Sequence, residues 1–125
     1  QYRIMSSHGS SNPGFQINYP ANGASYSGIY VGSVLTASIW YMMAGTYDKD
    51  SGHQKLYLNN VLKSSATLTA GTVLYDNDEN IGIGAKPGGT HLLNGKIATA
   101  LIYDRALSAA ELTYIFNSQR SRYGV

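Results

Sequence analysis

The most constraining stretch lies mid-chain, where SIWYMMAGTYD, HQKLYLN and LKSSATL are separated only by the short connections DKDSG and NNV. Runs rich in β-branched and aromatic residues, joined by tight turns, form an antiparallel meander. The first run is apolar on both faces. Trp40, Met42, Ala44 and Thr46 share one side, and Tyr41, Met43, Gly45 and Tyr47 the other. That pattern predicts a central strand covered on both sides, with Trp40 in the core.

The rest of the chain repeats this theme. YRIM reads as a short strand, SSHGSSNPG as a loop and PANGAS as a turn carrying Asn22-Gly23. Between them FQINY alternates, with Phe15, Ile17 and Tyr19 on one face and Gln16 and Asn18 on the other. YSGIYV continues as a strand. In NIGIGA, Ile81 and Ile83 are expected to point into a core while Gly82 and Gly84 leave the other face bare. GKIATALIYD reads as the last strand. With 14 Gly and 11 Tyr in 125 residues, the composition suits a β domain with glycine in turns and tyrosine in strands.

A helix follows, predicted from Ser108 to about Arg120. Ser108 and Glu111 form an S-x-x-E capping box, and Leu107 and Leu112 sit at the positions of a hydrophobic staple. Leu112, Ile115 and Phe116 make one apolar face, Arg120 and Arg122 suit the C-terminal dipole, and Gly124 can end the helix. A helix this short is marginal alone in water, so it must dock on the β layers. The fold class expected is therefore all-β, an antiparallel sandwich with a short C-terminal α-helix, as one domain over residues 1–125.

In order along the chain, four strings resemble the laminin-G-like, concanavalin A-like jelly-roll superfamily in its bacterial and phage branch. They are Trp40 through Thr46-Tyr47-Asp48; KLYLNN, with Asn60 where a glycine is usual; IGIGAKPGG, with altered spacing; and the G-x-I-x-x-x-x-I-Y-x-R-A-L-S-x-x-E-L string from Gly95 to Leu112. The last is the most specific, and the resemblance covers most of the chain, weakening before about Phe15. It implies a jelly roll whose final strand enters the sandwich, with the helix packed at its edge. It also implies one or two strands ahead of Tyr2–Met5 that would pair with GKIATALIYD. Three readings follow: those strands lie outside this sequence, the fold is trimmed, or a neighbouring subunit covers the edge. Residue 1 is Gln, so the chain reads as processed, as a fragment or as incomplete at its front.

The chemistry offered is sparse. The superfamily's hydrolases often carry E-x-D-x-x-E on one strand; here there are only seven acids and that string does not occur. Glu111 is engaged by the cap and Asp48 and Asp50 by a turn, so no catalytic residue is assigned. DNDE supplies Asp76, Asp78 and Glu79 as candidate calcium ligands, though they match no calcium motif and a solvated turn explains them as well. No other cofactor is expected. The three histidines share no ligand spacing, and with no cysteines there are neither thiolate metal sites nor disulfides.

Tyrosines are the main binding resource. Tyr19, Tyr26 and Tyr30 border PANGAS and Tyr75 borders DNDE, and such rings stack on sugars or pack at protein interfaces. Cross-strand packing is the plainer role for any one of them. The net charge of +2 is scattered, which argues against nucleic acid, and no run reaches the ~20 apolar residues of a membrane span. The functional expectation is a non-catalytic module that binds a glycan or a surface protein, displayed on an extracellular or virion surface. The alternative is a structural subunit of a virion or surface filament that acts by assembly with other protein subunits. Glycoside hydrolysis is the remote third reading.

Overall fold

The computed structural model describes residues 2–6, 12–19, 25–74, 81–85 and 92–125. Two three-stranded antiparallel sheets face each other. The first has the order β1 (Tyr2–Ser6), β2 (Pro13–Tyr19), β3 (Ser25–Tyr30), and the second β4 (Met43–Tyr47), β5 (His53–Leu58), β6 (Val61–Thr67). One helix, α1 (Ala109–Tyr123), follows. The expected all-β sandwich with a C-terminal helix is the architecture found.

Alternation decides which side chains enter the core. Phe15 and Ile17 of β2 and Ile29 of β3 cluster with Leu56 of β5, and Val31, Tyr47, Ala66, Leu68 and Leu74 pack around them. Gly45 is small because the Phe15 ring lies where a β-carbon would project, 2.5 Å away. One polar side chain joins the sheets. Fully buried Gln54 donates from Nε2 to the Phe15 carbonyl (2.9 Å) and accepts from the Ser27 hydroxyl (2.7 Å). The Tyr47 hydroxyl donates to the Thr72 carbonyl at 2.7 Å, anchoring the chain after β6.

The meander is as expected. Asp48 holds the first turn by accepting from the Ser51 hydroxyl and the Asp50 N–H. The second turn is a two-residue loop in which Asn59 (φ 47°) and Asn60 (φ 64°) are both left-handed, the geometry that matches strand twist. Asn tolerates that region better than other non-glycine residues. At position 60 it gives a further return, because Asn60 Nδ2 donates to Thr113 Oγ1 of α1 at 2.9 Å.

The helix carries the predicted capping box and ends at Tyr123, three residues beyond Arg120, with Gly124 (φ 69°) as its C-cap. It does not pack at a sheet edge. Asn60–Thr113 and the Trp40–Tyr123 ring contact (5.3 Å between centroids) set it across the face of the second sheet turned away from the core. On that face Thr46 and Tyr57 are buried, and Leu112 and Phe116 are buried on the helix.

Several expectations are corrected. The run 38–48 forms a strand only at Met43–Tyr47, and that strand is an edge of its sheet with β5 at the centre. Both of its faces are nonetheless covered, one by Phe15 and one by the helix. Trp40 lies ahead of the strand and is half-buried against Tyr123, outside the core cluster. Pro13 and Gly14 belong to β2 rather than to a loop. Ile81 and Ile83 are exposed. GKIATALIYD forms no strand, and its apolar side chains are about half exposed, because none of the described strands pairs with it.

Candidate functional site

Three of the four predicted tyrosines can be placed. β2 and β3 pair so that Tyr30 stands opposite Gly14, and Tyr26 opposite Asn18. Both tyrosines therefore lie on the outer face of the first sheet, away from Phe15 and Ile17. Tyr19 has the opposite parity and lies, half-buried, on the core side, as its alternation predicted. The structure thus joins Tyr26 to Tyr30 and separates Tyr19 from them. Tyr75, Asp76, Asp78 and Glu79 fall outside the described residues.

The outer face is shaped by missing side chains. A β-carbon on Gly28 would lie 2.7 Å from the Tyr30 ring, and one on Gly14 would lie 2.5 Å from it. The ring therefore lies down across two bare positions instead of standing up from the sheet. Tyr30 is 44% exposed and Tyr26 65% exposed. Gln16 and Asn18 share the face, with Gln16 Nε2 donating to Asn18 Oδ1 at 3.0 Å, and Arg3 is paired opposite Gln16. The face thus carries two exposed aromatic rings, with Gln16 buried and Asn18 and Arg3 half-buried beside them. Aromatic faces of this kind stack on apolar sugar faces.

A second depression of about 270 Å³ lies where α1 begins. Thr46, His53 and Lys55 line it from the second sheet, and Arg105, Ser108 and Glu111 line it from the helix side. Its acids are engaged. The Arg105 guanidinium forms a two-pronged ion pair with Glu111 (one bond of 3.0 Å), and the Ser108 N–H donates to the same carboxylate at 2.8 Å. Arg105 first, then Ser108, hold the Glu111 carboxyl at about 2, and the Arg105 guanidinium is raised in return. Bonds from Ser51 and from the Asp50 N–H lower Asp48. Carboxylates held this low are poor proton donors near neutral pH. Among the described residues no group of three or more His, Asp or Glu could hold a metal ion.

Sequence reasoning missed the recumbent Tyr30 ring and the cleft residues. The placing of Tyr30 opposite Gly14, with Gly28 two residues before it on the same face, was hidden because the strand register was unknown. Alternation in HQKLYL could have placed His53 and Lys55 together, facing away from Gln54 and Leu56.

Two facing antiparallel three-stranded sheets with a C-terminal helix define an all-β sandwich. The family comparison agrees: the model of the concanavalin A-like lectin/glucanases superfamily matches residues 2–113, and the chain belongs to that superfamily. No curated protein matches the chain. Among solved structures it is similar to an S-layer domain-containing protein (residues 221–444) from Clostridium thermocellum ATCC 27405. That likeness has a TM-score of 0.52 at 23% identity and covers 84% of this chain and 51% of the other, so this chain spans about half the length of that structure. The likeness agrees with the fold described above.

Proposed function

We propose that this domain is a non-catalytic binding module that holds a glycan chain on the outer face of its first sheet, at an extracellular surface. The observation that carries the reading is the pair Tyr26 and Tyr30, both exposed on one face, with Tyr30 laid flat over Gly14 and Gly28. Membership of a superfamily of lectins and glucanases supports it, as does the engagement of Asp48 and Glu111 by their own donors. The S-layer domain neighbour supports the surface setting. Among the described residues no helix is long and apolar enough to cross a membrane. In this reading no cofactor is needed, so EDTA leaves binding unchanged; loss of binding on chelation would instead assign calcium to Asp76, Asp78 and Glu79.

The test is depletion of the protein from solution by insoluble cellulose, chitin or peptidoglycan. Tyr26→Ala and Tyr30→Ala should each weaken the retained binding by roughly three- to ten-fold, the value of one aromatic contact, with circular dichroism checking that each variant is folded. Binding that survives both substitutions would sink the assignment to this face.

A second reading, a structural subunit that acts by assembly, is favoured by a different observation: the exposed apolar segment 95–104.

A further inference from the structure

Residues 95–104 have the sequence pattern of a strand, and none of the described strands pairs with them. No backbone hydrogen bond joins residues 96–103 to another described residue. Ile97 (47%), Leu101 (52%), Ile102 (53%) and Tyr103 (47%) each leave about half their surface exposed. Burying such a segment requires apolar cover and partners for its N–H and C=O groups at once. Another strand supplies both.

We infer that residues 95–104 pair antiparallel with the same residues of a second copy, about a two-fold axis at Ala100. The argument is self-complementarity. With Ala100 opposite Ala100, Lys96 faces Asp104 at both ends of the ribbon, Ile97 faces Tyr103, Thr99 faces Leu101, and Ala98 faces the larger Ile102. A slip of one residue in one direction sets Lys96 against Arg105. A slip in the other sets Lys96 against Tyr103 and Asp104 against Gly95. Opposite charges directly across a strand pair are stabilising and like charges destabilising, so the end charges fix the register. In that register Ile97, Thr99, Leu101 and Tyr103 of both copies lie on one face and merge into a single apolar stripe. The two-fold arrangement is closed and gives a dimer, not a filament. A ribbon of this length buries less than the ~1,200–2,000 Å² of a standard interface, so the expected Kd is on the order of tens of micromolar.

This deepens the assembly reading and rests on it; the glycan reading is independent of it. The test is sedimentation equilibrium of the full chain and of Lys96→Asp and Asp104→Lys. Both residues are exposed, so the substitutions leave the fold intact, which circular dichroism checks. Each variant alone sets like charges together at both ends and should loosen the dimer by about ten-fold or more. An equimolar mixture of the two restores opposite charges at both ends and should recover the wild-type affinity. Because the chain has no cysteine, Ala100→Cys supplies its only thiol; it should form a disulfide dimer in air, while Ala98→Cys, facing Ile102, should not. A dimer indifferent to both charge reversals overturns this interface but leaves the assembly reading standing. A wild-type chain that stays monomeric up to ~1 mM overturns both.

Discussion

Gln54 is the fully buried side chain that bonds the two sheets together, and its replacement by leucine has a cost that can be worked out. Leucine keeps similar bulk but removes three bonds: Nε2 to the Phe15 carbonyl, Nε2 to the Ser27 carbonyl (3.3 Å) and the Ser27 hydroxyl to Oε1. Each buried group left without a partner costs about 1–3 kcal/mol. Burying the added apolar surface returns roughly 1.5–3 kcal/mol. The balance is a net loss of about 4 kcal/mol, or a fall of roughly 12–20 °C in Tm for a chain of this size. Urea unfolding at low micromolar protein, with an unchanged m-value, measures it. Adding Ser27→Ala to Gln54→Leu removes the orphaned hydroxyl and should recover about 1 kcal/mol, a coupling that two independent sites would not show. If Gln54→Leu were as stable as the wild type or more so, the polar link would contribute nothing and the sheets would be held by apolar contact alone.

Further predictions concern other contacts. Gly45→Ala places a methyl 2.5 Å from the Phe15 ring and should destabilise by about 1–3 kcal/mol, read by the same unfolding curve. Asn60→Gly relaxes a left-handed backbone but removes the bond to Thr113, so the hairpin should persist while amide exchange in α1 quickens; unchanged exchange would mean that the bond does not hold the helix. Glu111 has its folded pKa depressed from 4.5 to about 2, so its contribution is complete above the unfolded value and is lost as pH falls from about 4.5 towards 2. The gap in Tm between the wild type and Glu111→Gln should therefore shrink across that window, and a constant gap would contradict the assignment.

What the sequence revealed was local. The two turns of the meander, the alternation that put Phe15, Ile17 and Tyr19 on one side, and the capping box each depend on residues a few positions apart. What it concealed was partnership. The apolar pattern of 38–48 announced two covered faces but could not say that the second cover is a helix, so Trp40 was assigned to the core and β4 to the centre of its sheet. Ile81, Ile83 and the segment 95–104 carry the pattern of buried strands, yet a pattern specifies only that a face can be covered, not that the covering element is at hand. At the binding face, Tyr26 and Tyr30 were named for their ring chemistry. The pairing that lays Tyr30 over Gly14 and Gly28 depends on strand register, which single-sequence alternation does not supply.

The central claim is that the outer face of the first sheet holds a glycan. It is tested most directly by amide chemical-shift mapping of the isotope-labelled domain, titrated with cellohexaose and chitohexaose. The account predicts saturable shifts at Gly14, Asn18, Tyr26, Gly28 and Tyr30, with interior Leu56 and the helix residues unmoved. Shifts confined to the depression at Thr46, His53 and Lys55, or no shift with either sugar at ~10 mM, would contradict it.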